Sequence, residues 1–347
     1  SQDNLQANLA NLESSLGLAE SFTTGTAVNT FAKVQALLSL QVMRSFNDDT
    51  AAIGSKSQTA PGVSDYVNVG IKSYASLSST ANSSRVDLTD ANFSAVAGFS
   101  LQTTLNSALD KLSAGTSLTK AGIQSMVDSY YRILKEADGS TSINTDVYAD
   151  AANDPSGAGN DPLAIDYANV GVTKVDGTAL TVVSTTNTEI LALLNDAVGR
   201  FSATSVDTVA ELSALEKAAE NIMAIGAGTG TGLATAGVTY TTDAEWIAGF
   251  TALGVTGVTT SNITAVKATI TGHTDGTAVD TVQEIKDLLK VTIALQQLKD
   301  YANATNGAGV AAPTLTTYKD AGVKGLANLS ETTASADIDS ATVTGAL

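Results

Sequence analysis

Apolar positions along this chain fall mostly at helical spacing, in three kinds of stretch that return in a fixed order. The longest kind runs Leu212, Leu215, Ala219, Ile222 and again Val282, Ile285, Leu289, Ile293. Steps of three and four residues put these side chains on one helix face. Each run follows a Thr-x-x-Glu, Thr208 with Glu211 and Thr281 with Glu284. This is a capping box, in which side chain and backbone satisfy each other's orphan groups at a helix start. A second kind carries Ile263, Val266 and Ile270, or Leu5, Leu9, Leu12 and Leu16, and predicts an amphipathic helix. The third kind is short and closed by glycine. Asp161 as N-cap and Pro162 at the first helical position open one copy, which Gly171 closes; Thr242 or Asp243 and Gly254 bracket another, and Pro313 and Gly322 a further one.

The stretches recur as phrases. GTAVNTFAKVQALL at 25–38 is rewritten as GTAVDTVQEIKDLL at 276–289, with SVDTVAEL at 205–212 and GTSLTKAGIQSMV at 115–127 as looser copies. DYVNVG at 65–70 returns as DYANVG at 166–171, FTALGV at 250–255 and YKDAGV at 318–323. NFSAV at 92–96 is matched by NITAV at 262–266 and, more loosely, by NLQANL at 4–9 and NTEIL at 187–191. Self-similarity of this kind predicts units that bury their apolar faces partly against their neighbours. The expected fold is mainly α, with tandem three-helix repeat units packed in series. A partial unit over 1–62 supplies a second and a third helix, about Asn4–Phe22 and Asn29–Asn47. Units over 63–160, 161–240 and 241–312 follow, then a partial unit over 313–347. Tyr66, Tyr167, Phe250 and Tyr318 are unevenly spaced, so the surplus belongs in surface insertions. One insertion, VTKVDGTALTVV at 172–183, alternates branched residues around Asp176-Gly177 and predicts a short β-hairpin.

Successions of DY-x-N-x-GV, then N-(I/L/F)-x-A-V, then G-T-x-VDT-x-x-E-(I/L)-x-x-L resemble the alanine- and threonine-rich helical repeats of very large bacterial secreted and cell-surface proteins of the adhesin type. Nearly the whole chain falls under the resemblance. It implies an extended, extracellular, multi-repeat protein, exported by a dedicated secretion system whose signal lies outside this segment. The chain begins at Ser1 with no basic, apolar signal segment, which agrees with an export signal removed or placed elsewhere.

Composition narrows the chemistry. A formal net charge of −17 disfavours nucleic acid and anionic membrane surfaces and makes cations the natural counter-partners. No cysteine is present, which excludes disulfides, thiol catalysis and cysteine-ligated metals. No stretch reaches the roughly 18 consecutive apolar residues of a membrane helix, since Ile222 to Val238 is broken by glycines and threonines.

Asp150, Asn153, Asp154, Asn160 and Asp161 form the densest set of hard oxygen ligands, so calcium is the candidate ion and this loop its candidate site. The EF-hand order is absent, and a plain solvated loop is the alternative. Asn47, Asp48 and Asp49 make a smaller cluster. The single histidine, His273, has only Asp275 nearby and reads as a surface loop residue. GAGTGTG at 226–232 follows a helix rather than a strand and lacks the Lys-Ser/Thr of a phosphate loop, which makes it a linker with Gly226 capping the helix before it. Tyr66, Tyr167, Tyr318 and Phe250 could form a sugar-binding ladder, but once per unit on an apolar face they read as core plugs whose hydroxyls reach a neighbour. Asn4, Asn92, Asn187 and Asn262 read as helix-start or interhelix hydrogen-bonding residues. Trp246, Tyr130 and Tyr131 read as buried in helices, and Glu211 and Glu284 as caps.

With no catalytic constellation, an enzyme acting on an extracellular polymer trails two other readings. The first is a structural or adhesive repeat segment of a bacterial surface protein, and the second a self-assembling subunit of a surface layer, sheath or filament. The expected partners are neighbouring repeats or copies of the chain itself, and a cell-surface or matrix polysaccharide.

Overall fold

Thr281 shows how the helices begin. Its hydroxyl accepts the Glu284 N–H at 3.2 Å, while the Glu284 carboxylate accepts the Thr281 N–H at 3.1 Å. Two backbone donors that a helix start leaves without partners are thereby paired. Thr208 with Glu211 and Thr242 with Glu245 make the same exchange. All three pairs are local, which is why the sequence pattern predicts two of them and offers Thr242 as a cap for the third.

The structure, a computed structural model, describes residues 31–51, 55–71, 73–76, 84–87, 101–112, 119–137, 162–180, 185–226, 239–271, 279–304 and 309–324. The chain is mainly α. Among the described residues are α1 (Phe31–Asp48), α2 (Val63–Asn68), α3 (Leu101–Leu109), α4 (Lys120–Glu136), α5 (Ala164–Asn169), α6 (Thr185–Arg200), α7 (Val209–Gly226), α8 (Asp243–Ala252), α9 (Ile263–Thr271), α10 (Val282–Asn303) and α11 (Leu315–Asp320). A 3₁₀ turn covers Ala203–Ser205. Strands β1 (Ser73–Ser76) and β2 (Ser84–Asp87) pair antiparallel, from Ser73 opposite Asp87 to Ser76 opposite Ser84. The helix expected over about Asn4–Phe22 lies outside the described residues, and the one expected over about Asn29–Asn47 is α1.

Two compact units divide the chain, Ser1–Asn187 with Leu194–Glu216, and Thr188–Leu193 with Lys217–Leu347. This division is coarser than the five-part reading of the sequence. In the first unit α1 packs on α2, α3 on α4 and α4 on α5. Met43, Phe46, Tyr66, Leu105, Ile123, Tyr130 and Tyr167 are buried there. In the second, α9 packs on α10 and α10 on α11. Phe250, Ile263, Val266, Ile270, Ile285 and Leu289 are buried, and Leu298, Leu315 and Tyr318 cluster. Trp246 is buried too, with the Tyr240 ring edge-on at 5.2 Å.

The four short helices α2, α5, α8 and α11 end in one and the same way. Gly70, Gly171, Gly254 and Gly322 take φ of 92°, 89°, 75° and 85°. Each glycine N–H bonds the carbonyl three residues back, and the next N–H reaches the carbonyl of the aromatic residue, Tyr66, Tyr167, Phe250 or Tyr318, at 2.9 to 3.0 Å. This double closure is the Schellman arrangement, and its left-handed position costs any other L-residue about 1–2 kcal/mol.

Two expectations need correction. The N-cap of α5 is Leu163 rather than Asp161, which lies outside the described residues, and Pro162 precedes the helix. Asp166 decides this by turning back to accept the Leu163 N–H at 2.8 Å, as Asp65 does for Gly62 at 2.8 Å. The β-hairpin expected at 172–183 is not formed. Thr173 and Ala179 make only an isolated bridge. Asp176 accepts the Thr178 N–H at 2.8 Å and its hydroxyl at 2.5 Å, closing the turn through a side chain. Val172 and Leu180, on either side, are buried in the core, which leaves too short a span for a ladder; 181–183 lie outside the described residues.

Gly171 and Gly177 separate backbone strain from crowding within one unit. A Cβ on Gly171 would lie 2.4 Å from Lys111 Cβ, whereas one on Gly177, at φ 79°, meets nothing within 4 Å. Gly177→Ala is expected to cost about 1–2 kcal/mol. Gly171→Ala is expected to cost measurably more in urea unfolding followed by circular dichroism.

Candidate functional site

Two of the recurring aromatic residues, Tyr66 and Tyr167, carry a polar lock. Tyr66 donates its hydroxyl to Asn106 Oδ1 at 2.9 Å, and Asn106 Nδ2 donates to the Pro61 carbonyl at 2.9 Å. The next copy repeats it, with Tyr167 to Asn195 at 2.7 Å and Asn195 to Pro162 at 3.0 Å. A second bond recurs beside each lock. Asn68 donates to Ser39 at 3.1 Å, and Asn169 to Ser129 at 3.0 Å. Ser129 in turn donates to the buried Asp166 at 2.8 Å, and Arg132 pairs with the same carboxylate at 2.5 Å. Between α10 and α11, Thr317 donates to Gln297 at 3.1 Å. The four aromatic residues are at most 4 % exposed, so no ring face is open to a sugar. Burial, with Asp65 adding to it, pushes the Tyr66 phenol well above its usual range, and it acts as a neutral donor.

Within the Asn47, Asp48 and Asp49 cluster, Asn47 and Asp49 act as caps. Asn47 Nδ2 donates to the Leu109 and Leu112 carbonyls at 2.7 and 2.8 Å, tying the end of α1 to the end of α3. Asp48 stands 3.7 Å from Arg44. Asp49 accepts from the Ala51 N–H, the Ser57 N–H and the Ser57 hydroxyl, and these bonds, led by Ala51, lower its pKa. Between the two helix ends sits Lys56, whose side chain is only 1 % exposed. Its ammonium donates to the Phe46 carbonyl at 3.0 Å and to the Asp49 carbonyl, pairs with Asp110 at 2.6 Å and lies 4.9 Å from the Phe46 ring centre. Helix C-termini carry partial negative charge, so a buried cation where two of them converge is electrostatically satisfied.

A third polar group stands where α7 begins. Glu211 Oε2 accepts the N–H and hydroxyl of Thr208 at 3.0 and 2.8 Å. Its carboxyl also contacts that of Asp207, whose pKa is raised by burial first and by Glu211 second. Behind them is Tyr130 of α4, fully buried, whose hydroxyl has no hydrogen-bond partner of normal geometry. Burial pushes this phenol well above its usual range, and Asp207 and Glu211 add to the effect. Ser107 of α3 stands beside it and accepts the Val209 N–H at 2.7 Å. Sequence reasoning assigns Glu211 to capping alone and places Tyr130 only in a core.

The proposed calcium ligands Asp150, Asn153, Asp154, Asn160 and Asp161 all lie outside the described residues, as does His273. Gly226 is the last residue of α7, and its lack of a side chain serves close packing, since a Cβ there would lie 2.8 Å from Val279 Cγ2. Asn262, buried, accepts the Thr259 N–H at 2.8 Å and donates to the Gly257 carbonyl at 2.8 Å, the helix-start role expected of it. Among the described residues no three His, Asp or Glu side chains gather around a metal position, and no helix is long and apolar enough to cross a membrane. Searches of protein-family models, curated proteins and solved structures find no match to this chain.

Two outcomes follow from this chemistry. Asn195→Ala leaves the Tyr167 hydroxyl and the Pro162 carbonyl without their partner and is expected to cost about 2 kcal/mol or more. Tyr167→Phe costs less, and a double-mutant cycle between them in urea unfolding is expected to show coupling. Glu245 is partly exposed, yet the Thr241 and Thr242 N–H groups, followed by their hydroxyls, hold its pKa at about 2 against an ordinary 4.5. Its folded form therefore binds a proton less readily than its unfolded form. The stabilisation is complete above about 4.5 and lost as pH falls towards about 2. The difference in melting temperature between wild type and Glu245→Gln is expected to shrink over that window.

Proposed function

We propose that this chain is a non-catalytic structural or adhesive repeat segment of a large extracellular bacterial surface protein, its helical units packed in series. The observation that supports this most is the recurrence of the Tyr–Asn–Pro lock with its glycine closure. The side chains that recur along the sequence spend their polar atoms on one another and on the backbone. Groups kept for a substrate would instead converge on a shared cleft. Neighbouring repeats and a cell-surface or matrix polysaccharide are the partners this reading carries, and the loop at 150–161 is its calcium candidate.

A second reading, a self-assembling subunit of a surface layer, sheath or filament, draws on exposed apolar side chains. Leu38, Leu163, Ile165, Val291 and Val323 are 44 to 62 % exposed, and these are the side chains that contact between copies would bury. Sedimentation and small-angle scattering of the chain, with calcium and with chelator, separate the two. An elongated monomer at every concentration is the expected result for a spacer or adhesive segment. Growth into large assemblies overturns it in favour of the subunit, and calcium-driven growth makes the 150–161 loop the first place to mutate.

A further inference from the structure

The lock around Tyr66 and Tyr167 has three members, and they come or go together. Pro61, Pro162 and Pro313 each stand five residues before a tyrosine, at 66, 167 and 318. In the first two copies an asparagine of the following helix, Asn106 of α3 or Asn195 of α6, joins the tyrosine hydroxyl to the proline carbonyl. The third copy has Glu245 in place of the proline and Phe250 in place of the tyrosine. The helix packed on it, α9, contains no asparagine. Proline and tyrosine thus occur together where an asparagine bonds both. The α11 copy has Pro313 and Tyr318, and no asparagine among the described residues joins them.

Exposure shows the same gap independently. Ile71, Val172, Val255 and Val323 each follow the recurring aromatic residue by five positions. The first three are 0 to 1 % exposed, whereas Val323 is 45 % exposed. Pro313 and Tyr318 are nevertheless buried. Thr317 fastens α11 to Gln297 of the helix before it, as Asn68 fastens α2 to Ser39 and Asn169 fastens α5 to Ser129. Like its counterparts, α11 is therefore held by the preceding helix. It differs in that the residue its counterparts bury after the glycine stands open.

We propose that α11, through Pro313, Tyr318 and Val323, is the docking surface for an amphipathic helix of a neighbouring repeat. That helix places one asparagine between the Tyr318 hydroxyl and the Pro313 carbonyl and lays its apolar face over Val323. The sequence that fits is Leu-Asn-x-Ala followed by Leu or Val, as written at 105–109 and 194–198. Its first and last residues are one turn apart on the face that carries the asparagine, and in both existing copies they are buried. The amide supplies specificity, because a helix without it leaves a phenol and a carbonyl unpaired beneath it. The proposal rests on the reading of helical units packed in series and names the surface that receives the next unit.

Because the chain has no cysteine, Lys324→Cys, exposed beside Val323, accepts a single environment-sensitive dye. Synthetic peptides of α3 (residues 101–112) and α6 (residues 185–200) are titrated into the labelled full chain. A saturable shift of dye emission to shorter wavelength is expected from at least one of them. Asn106→Ala or Asn195→Ala in the peptide is expected to weaken half-saturation about three- to tenfold. Tyr318→Phe in the chain is expected to act by a similar factor, and the two changes together by little more than either alone. Val323→Glu, at an exposed position, is expected to abolish the shift, with circular dichroism confirming that the chain is folded. No saturable shift from either peptide overturns the proposal, as does a shift that Val323→Glu leaves intact or a fully additive pair of asparagine and tyrosine changes. A shift that grows with chain concentration in the absence of peptide overturns the choice of occupant in favour of a second copy. Failure of the peptides with an elongated monomer retained in sedimentation removes this surface alone and leaves the repeat reading standing.

Discussion

The hydrogen bond from a buried tyrosine to a buried asparagine organises the described structure. A phenol inside a core of small side chains must find an acceptor, and the asparagine that supplies one must place its own amide. Asn106 and Asn195 solve both requirements by donating to the proline carbonyl just before the short helix that carries the tyrosine. Three points of the chain are thereby fixed against one another. The glycine closure adds to this, because the carbonyl of the same tyrosine accepts the N–H after the glycine. The aromatic residue is thus held at both ends, by hydroxyl and by backbone. In the third copy Phe250 has no hydroxyl to satisfy, and only the backbone half remains.

Charge is handled in a similar, local way. Fifteen per cent of the residues are charged and the net balance is −17, yet several carboxylates accept bonds that anchor the fold. Asp65, Asp166, Glu245 and Glu284 accept backbone N–H groups at helix starts, where the positive end of the helix favours them. Lys56 does the opposite work at two helix ends. The Asp207–Glu211 pair differs because two carboxyls meet at one helix start.

What could be read in the sequence tracks the range of the interaction. Thr208, Thr281 and the glycines after the short helices are legible because their partners sit within five residues. Asp161 looks like the better cap for α5 by residue type, but Asp166 wins because it can reach back to the Leu163 N–H. Branched residues around Asp176-Gly177 read as a ribbon, but the Asp176 carboxylate together with the Lys174–Thr178 and Gly177–Lys174 backbone bonds closes a tight turn, and strand pairing there amounts to one bridge. Lys56, set among Ser55, Ser57 and Gln58, has the look of a solvated loop residue. Nothing in its neighbourhood announces that Phe46 and Asp110 will enclose it. The same holds for Tyr130, whose meeting with Asp207 and Glu211 joins segments far apart in the chain.

The two complete locks span different lengths of chain. Tyr66 and Asn106 are 40 residues apart, and Tyr167 and Asn195 are 28 apart. The longer span carries the β1–β2 pair, and the bond lengths differ by only 0.2 Å between 2.9 and 2.7 Å. Closing a longer loop costs little, about 0.6 kcal/mol for each doubling of its length. The segment between a tyrosine and its asparagine is therefore free to grow, shrink or acquire new sequence by drift while the fastening stays the same. A fold fastened in this way can change its surface without re-engineering its interior.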